Sequence, residues 1–105
     1  MITFSQRVVK LALSIPKGRV STYGRISKAA GGGAMASQSI TSILGKAYRE
    51  GEHRIPFHRI VYADGKIWVN EKYRKERIRL YKKEGIELDE KDRIKNFRKV
   101  VFEFK

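Results

Sequence analysis

The sequence contains no cysteine. This absence excludes disulfides, thiolate metal sites and catalysis by a thiol nucleophile. Histidine is nearly as scarce, since His53 and His58 are the only two, so a metal site built from several imidazoles cannot be assembled. We therefore expect no bound metal and no other cofactor, and a function that depends on neither thiol nor metal chemistry.

Acidic residues are few: the chain has 11 Asp and Glu against 24 Lys and Arg, a formal net charge of +13. An excess of this size favours a polyanionic partner. A membrane surface and a ribosome-like RNA site are the competing explanations. The sequence has no apolar run long enough to span a bilayer and no basic amphipathic helix with a broad apolar face. A membrane is therefore disfavoured, and a polyanionic partner is expected.

The length and the start of the chain set further limits. A chain of 105 residues is enough for one modest core and too short for two. We expect a single domain over residues 1–105 that is a monomer. The start, Met1-Ile2-Thr3-Phe4, lacks the basic region and apolar core of a secretory signal. A cytoplasmic location is the expectation.

Two short helices are predicted in the first third of the chain. The capping-box pattern Thr3-x-x-Gln6 and apolar residues at helical spacing predict a helix that ends before Pro16. Thr22 is expected to cap a second helix that reaches Ala29–Ala30, and the glycines of residues 31–33 end it. Because this glycine run lies between two short helices, it suits the turn of a helix-turn-helix better than a flexible linker.

Residues 34–48 are predicted to form the recognition helix. Their apolar positions fall on one side, and small neutral residues recur on the other at three- and four-residue steps. The members of this small polar face are Ser37, Gln38, Thr41, Ser42 and Gly45. Small side chains let a helix lie close to a nucleic-acid groove, although such a face would also suit packing against another helix.

The second half of the chain predicts a wing and a charged helix. Ile60–Tyr62 and Ile67–Val69 flank an Asp64-Gly65 turn and predict a β-hairpin. Glu71–Lys83 is predicted to be a helix that ends at Gly85. Its inward-facing residues are expected to be Tyr73, Ile78, Leu80 and Tyr81. Residues 87–92 are expected to turn, and residues 97–104 to form a packed extended tail. The predicted fold class is mainly α with a small β-hairpin, a winged helix-turn-helix DNA-binding domain.

Three segments, taken in order, resemble those of a known family. Ile55–Val61, which reads Ile-Pro-Phe-His-Arg-Ile-Val, resembles the Pro-Cys-His-Arg-Val active-site motif of the O6-alkylguanine-DNA alkyltransferases, with Phe57 standing at the cysteine. Ile15–Gly24 resembles the family's Ile-Pro-x-Gly-x-Val-x-Thr-Tyr-Gly segment, and Lys83–Ile86 resembles its Glu-Gly-Val segment. The alkyltransferase-like proteins, in which a bulky residue replaces the cysteine, are the most similar branch.

The resemblance implies recognition of DNA damage without catalysis. In the enzymes the cysteine thiolate attacks the alkyl carbon of a flipped base, and a His supported by a Glu activates the thiol through water. His58 and Glu84 stand at those positions as a residual relay, but Phe57 has no nucleophilic atom, so alkyl transfer by this mechanism is excluded. What remains is binding of duplex DNA through the minor groove and retention of a flipped O6-alkylguanine. Nucleotide excision repair proteins are the expected further partners.

The resemblance also assigns residues to DNA binding and nucleotide flipping. Tyr23 matches the Tyr that presses on the phosphate of the flipped nucleotide, although its ring would also pack beside Ile26. Gln38 stands where the family has an Arg finger that fills the vacated stack, and an amide has no charge and a shorter reach. The other residues assigned to this surface are Ser37, Thr41, Ser42 and Gly45, with Thr41 at a position that is usually Gly.

The pocket for the flipped base is expected around the Pro56 turn. Its residues are Pro56, Phe57, His58, Arg59, Ile60, Trp68, Val69 and Asn70. Arg59 would hold the turn together, and Trp68 has an equal claim to be a core residue.

Two other functions stay open. One is a general or regulatory winged-helix DNA-binding protein without lesion preference. A sequence-specific regulator is disfavoured, because the recognition helix has one Gln and mostly Ser and Thr where a reader of the major groove needs long polar side chains. An enzyme could instead use His58 and Glu84 to activate a water molecule for hydrolysis. Analysis of the bases in lesion-containing DNA after incubation would separate this enzyme from a binder.

Overall fold

The computed structural model describes residues 3–32, 37–68 and 70–104. Over these residues the protein is mainly helical with a small two-stranded sheet, so the mainly α fold class is confirmed. The elements, in chain order, are α1 (Phe4–Leu13), β1 (Ser21–Thr22), α2 (Tyr23–Ala29), α3 (Ser37–Arg49), a turn of 3₁₀-helix (Phe57–Arg59), β2 (Ile60–Val61), α4 (Arg74–Lys83) and α5 (Phe97–Val100). None of the helices in this described part is long and apolar enough to cross a membrane.

The first two helices begin at the residues that were predicted to cap them. Thr3 Oγ1 accepts a hydrogen bond from the Gln6 N–H at 3.1 Å, and Gln6 Oε1 accepts one from the Thr3 N–H at 2.9 Å. This reciprocal pair is the capping box. At α2, Thr22 Oγ1 accepts a hydrogen bond from the Arg25 N–H at 3.1 Å. Gly31, with φ +93°, follows α2 in a conformation that costs glycine little.

The apolar side of α3 packs against α1 and α2. Ile40 and Leu44 are buried in a core that they share with Val8 and Ile26. Full burial of one such side chain stabilises a fold by about 1.5–3 kcal/mol. This core therefore fixes α3 relative to the other two helices. The predicted start of the helix near Ala34 lies outside the described residues.

The small sheet corrects the predicted hairpin. β2 pairs in parallel with β1, not in antiparallel with a strand that follows it. The Asp64-Gly65 turn does form, since the Gly65 N–H donates to the Tyr62 carbonyl at 2.8 Å. After the turn, however, the Ile67 N–H donates to the Asp92 carbonyl at 2.9 Å. The Tyr62 N–H donates to the Lys66 carbonyl at 3.0 Å, so pairing across the turn stops there. The partners of Ile60–Val61 and of Ile67 are distant in the sequence, and alternation within a segment carries no information about a distant partner.

The C-terminal part of the chain encloses a second core with α4. Tyr81 is buried in this core, and Gly85, with φ +77°, follows the helix as predicted. The expectation that Tyr73 and Ile78 point inward is wrong, because they are 42% and 38% exposed. So many residues of α4 are charged that its apolar positions are too sparse to define a face. The predicted extended tail instead begins with α5, after which Val101 pairs with a residue preceding β1.

Candidate nucleic-acid interface

A single turn presents Phe57, His58 and Arg59 in succession. It follows the buried Pro56 and is closed by a hydrogen bond from the Arg59 N–H to the Pro56 carbonyl at 2.9 Å. The Ile60 N–H donates to the Phe57 carbonyl, and Ile60 begins β2. The backbone is therefore held on both sides of the turn, while each of the three side chains has its own partners.

Glu84 ties this turn to another part of the chain. Its carboxylate accepts hydrogen bonds from Arg59 Nη2 at 2.8 Å and from the Gly18 N–H at 3.0 Å. Arg59 Nη1 also donates to the Ile15 carbonyl at 3.1 Å. The Glu84 side chain is 5% exposed, so these charge-assisted hydrogen bonds form where water competes little. They are the contacts expected of an arginine that holds the turn together.

His58 is the second partner of Glu84, with Nε2 2.7 Å from Glu84 Oε2. Burial acts to raise the pKa of Glu84, but hydrogen bonds from Arg59, His58 and Gly18 outweigh it and lower that pKa to about 2. Burial lowers the pKa of His58, against the opposing effect of Glu84. At neutral pH the pair is therefore a carboxylate and a neutral imidazole whose Nε2–H donates to it. Such a pair can orient a water molecule or hold a proton.

Phe57 belongs to an aromatic group at the edge of the first core. Its half-buried ring meets Tyr48 of α3 edge-on, with centroids 5.8 Å apart, and Tyr48 lies 4.6 Å from the His53 ring. Edge-on pairs of aromatic rings are favourable contacts. Tyr48 is 44% exposed, so one side of the group is open to a ligand. Sequence reasoning missed Tyr48 and His53, because the resemblance offered no matching position for either.

The structure brings Tyr23 and Thr41 together across α2 and α3. Burial raises the pKa of the half-buried Tyr23, and a side-chain hydrogen bond with Thr41 acts in the opposite direction. The Tyr23 ring also lies 5.5 Å from the Tyr62 ring. Tyr23 packs against the first core as well, so the core contact expected beside Ile26 is present, and the phosphate contact stays a prediction. The hydroxyl remains protonated and able to donate.

The structure describes the side chains of only some of the other α3 residues that were predicted to bind DNA. Ser42 is exposed and borders a groove of about 530 Å³ between α1 and α3. A Cβ added to Gly45 would meet only the flexible end of Arg49, at 3.4 Å. Packing within the described residues therefore does not require glycine there. The side chains of Ser37 and Gln38 lie outside the described part, so the finger role of Gln38 stays a prediction.

Of the remaining residues predicted to line the base pocket, one is buried and two are exposed. Ile60 is 1% exposed and supports the turn from within the core. Trp68 is 39% exposed, so its alternative as a core residue does not hold. Asn70 is exposed, and its Oδ1 accepts a hydrogen bond from the Tyr73 N–H at 3.0 Å just before α4. Val69 lies outside the described residues.

Arg77 is a residue near the site that sequence reasoning missed. Its guanidinium lies over the Trp68 ring, 5.5 Å from the centroid. Burial raises the pKa of Tyr81, and the charge of Arg77 acts against that effect. The Tyr81 hydroxyl in turn donates to the His58 carbonyl. Arg77 and Tyr81 are four residues apart on one helix, a spacing that places them on the same face. This four-residue spacing is the feature of the sequence that could have placed Arg77 on the same face as Tyr81.

Comparison with known proteins gives a family and relatives. The model of the family described as 6-O-methylguanine DNA methyltransferase, DNA binding domain, matches residues 3–86. The DNA base-flipping protein of Escherichia coli (strain K12) is 40% identical over 65 residues, which are 62% of this chain and 48% of that protein. The DNA base-flipping protein of Shigella flexneri gives the same values. The chain thus aligns with about half the length of these curated relatives.

Solved structures show the same fold. S. pombe Atl1 in complex with damaged DNA containing O6-carboxymethylguanine has a TM-score of 0.72 at 22% identity, covering 96% of this chain and 95% of that one. A second structure of the S. pombe protein with DNA has a TM-score of 0.71 at 23% identity. A variant of the M. tuberculosis O6-methylguanine methyltransferase has a TM-score of 0.58 at 27% identity, over 77% of this chain and 47% of that one. By its match over residues 3–86, the chain belongs to the family of 6-O-methylguanine DNA methyltransferase DNA-binding domains.

Proposed function

We propose that this protein binds duplex DNA through the minor groove, extrudes an O6-alkylguanine nucleotide and holds the base without removing its alkyl group. Family membership supports the proposal. So do the relatives, since the similar E. coli protein is a DNA base-flipping protein and S. pombe Atl1 has been solved with damaged DNA. Because the chain aligns with about half of the curated relatives' length, its own lesion and partners are inferences.

The observation that carries the proposal is Phe57 on the turn that His58, Arg59 and Glu84 hold. In the family's chemistry a thiolate must accept the alkyl group, and this chain has no cysteine. The His58–Glu84 pair has no acidic proton to remove from Phe57. We therefore place Phe57 at the acceptor position and infer that the protein is not an alkyltransferase. A ring there can instead pack against a flat alkylated base.

The flipping step is assigned to Tyr23 and Gln38. Taking a base out of the stack costs a few kcal/mol, and less where the pair is already weakened by damage. Tyr23 would press on the phosphate of the moving nucleotide, and Gln38 would hydrogen-bond the orphaned base. Because an amide fills the stack with less reach and no charge, lesion preference would depend more on the pocket around Phe57 than on the finger.

A protein that holds a lesion without repairing it must pass the lesion on. Nucleotide excision repair proteins are the proposed recipients, with the protein acting as a cytoplasmic monomer on duplex DNA. The turn held by Glu84 would keep the base in place during this transfer. The hydrogen bonds among His58, Arg59 and Glu84 would thus shape the pocket, whereas in the enzymes the His and Glu also activate the thiol.

A paired binding and chemistry experiment tests the proposal. Fluorescence anisotropy at fixed salt would compare matched duplexes with and without one O6-methylguanine, and mass spectrometry would then analyse the bases of the same samples. We expect tighter binding of the lesion and full recovery of O6-methylguanine. Equal affinities would indicate a general or regulatory DNA-binding protein. Conversion of the lesion to guanine would indicate hydrolysis through His58 and Glu84, and either outcome would overturn the proposal.

A further inference from the structure

Arg77 differs from its basic neighbours on α4. Lys75 and Arg79, two residues to either side, are exposed, whereas Arg77 is half-buried. Its guanidinium lies over the Trp68 ring, 5.5 Å from the centroid. Taking a charged group partly out of water costs free energy unless the group gains a partner.

No carboxylate fills this role among the residues that the structure describes. Within residues 3–32, 37–68 and 70–104 the ion pairs are made by Arg25, Arg54, Arg59, Arg74 and Arg93, and the neutral His58 also hydrogen-bonds Glu84. Arg74, almost one turn before Arg77, has both carboxylate oxygens of Asp92 at 2.8 Å. Arg77 has instead the face of the Trp68 ring. Its charge is therefore oriented but not neutralised.

Arg77 lies near residues that the proposed function assigns to DNA. Burial is the largest influence on the pKa of Tyr23, which it raises, and the charge of Arg77 acts against it. For His58, burial lowers the pKa and Arg77 lowers it further. The contacts of α4 agree with this placement, because Tyr81, one turn after Arg77, donates to the His58 carbonyl and has its ring 5.9 Å from the His58 ring. Arg77 and Tyr23 thus present hydrogen-bond donors in one region, and the nearby Glu84 is already engaged by other residues.

We propose that Arg77 and Tyr23 together bind the backbone phosphate of the extruded nucleotide, a contact that rests on the proposed function. Two phosphate oxygens match the planar fork of a guanidinium, and a phosphate would be the anionic partner that Arg77 lacks. Because the Trp68 ring and partial burial orient the fork before DNA arrives, little side-chain entropy is lost on binding. An exposed lysine binds the phosphates of any duplex, whereas this site binds a phosphate displaced by extrusion.

The first test compares Arg77→Gln with Arg79→Gln, which removes one charge from the same helix. Dissociation constants would be measured for the O6-methylguanine duplex and the unmodified duplex at several salt concentrations. We expect Arg77→Gln to weaken lesion binding about tenfold and to reduce the preference for the lesion. Arg79→Gln should weaken both duplexes slightly and equally. Equal behaviour of the two variants, with a wild-type preference intact, would overturn the Arg77 contact and leave the proposed function standing.

The second test removes the phosphate charge instead of the arginine. A neutral methylphosphonate would replace, in turn, each of the linkages that flank the lesion. We expect one replacement to weaken wild-type binding and to have much less effect on Arg77→Gln, since the two changes remove the same contact. Additive losses, or no loss in the wild type, would overturn the inference even if Arg77→Gln folded poorly. A wild type without lesion preference would overturn the proposed function itself, and this inference with it.

Discussion

At the scale of single residues, Tyr23 contributes both to the fold and to the proposed interface. Its ring packs on the first core and lies 5.5 Å from the Tyr62 ring. Removing the whole side chain would therefore cost folding stability as well as any contact with DNA. Only a change confined to the hydroxyl can separate the two contributions.

Tyr23→Phe makes that change. We expect it to weaken binding of the O6-methylguanine duplex about tenfold, because a donor to phosphate is lost. The free energy of unfolding should change by about 1 kcal/mol or less, the usual net value of one hydrogen bond. Titration of the lesion duplex and urea unfolding are the two measurements.

Tyr62→Phe is the matched control, because it removes a hydroxyl from the neighbouring, 36% exposed ring. It should leave both quantities nearly unchanged. If Tyr62→Phe weakens lesion binding as much as Tyr23→Phe, the phosphate contact does not belong to Tyr23.

The residues found by resemblance and those found only in the structure differ in kind. His58, Arg59 and Glu84 stand in motifs, and they do meet at hydrogen-bonding distance. Arg77 and Tyr48 stand in no motif, so their place beside Trp68 and Phe57 depends on how helices pack. Packing of elements distant in sequence cannot be deduced from the spacing within either element.

At the scale of elements, the C-terminal end of α4 positions the candidate site. Glu84 follows this helix directly and binds the 3₁₀ turn through Arg59 and the segment after α1 through Gly18. One carboxylate thus joins three segments. Breaking a buried ion pair by removing one partner costs more than the pair contributes when intact, because the other charge is left unpaired.

Glu84→Gln is expected to lower the free energy of unfolding at pH 7 by about 3 kcal/mol. The variant should also change the response to acid. Since hydrogen bonds lower the pKa of folded Glu84 from 4.5 to about 2, its stabilising effect is complete above 4.5 and is lost as pH falls toward 2. His58, whose pKa burial lowers from 6.5, also favours the fold less as pH falls.

Urea unfolding between pH 7 and pH 2.5 would measure this dependence. The wild type should lose more stability on acidification than Glu84→Gln does. Glu103→Gln is the control, because Glu103 pairs with Arg25 but its side chain is 60% exposed, and exposed pairs contribute about 0–1 kcal/mol. Parallel acid profiles for the wild type and Glu84→Gln would contradict the role assigned to the network.

The helices could be predicted from the sequence far better than the sheet. Helix ends depend on residues three or four positions apart, such as Thr3 with Gln6, and these are visible in the sequence. The partner of β2 is β1, which lies far back in the chain. In the charged helix α4 the apolar residues are too sparse to show which face is buried. Tyr73 and Ile78 were therefore predicted to point inward, although both are exposed.

At the scale of the whole molecule, the net charge of +13 is the dominant property. With 24 basic and 11 acidic residues, most cations cannot be paired within the chain. Such a surface attracts a polyanion and speeds its association. It does not distinguish a damaged duplex from an intact one, so affinity and lesion preference should respond differently to salt.

Binding of both duplexes is expected to weaken steeply as salt rises. If the protein neutralises roughly five phosphates, the slope of log K against log salt should be about −4 to −5. The ratio of the two dissociation constants should change much less, because it depends mainly on contacts in the pocket. Titrations at several salt concentrations measure both quantities. A flat salt response would contradict the electrostatic account of binding.

The central claim is that Phe57 contacts the extruded base, and the ratio of dissociation constants tests it most directly. The ratio for unmodified and O6-methylguanine duplexes would be measured at fixed salt for the wild type, Phe57→Ala and Phe57→Trp. Circular dichroism would confirm that each variant is folded. Phe57→Trp keeps an aromatic ring at this position and serves as the control.

We expect the wild type to bind the lesion at least about tenfold more tightly, as the burial of one aromatic contact allows. In Phe57→Ala the ratio should fall toward one while the affinity for unmodified DNA is unchanged, because the basic surface is intact. Phe57→Trp should retain the preference. A large wild-type ratio that Phe57→Ala leaves unchanged would show that the base is held elsewhere and would contradict the account.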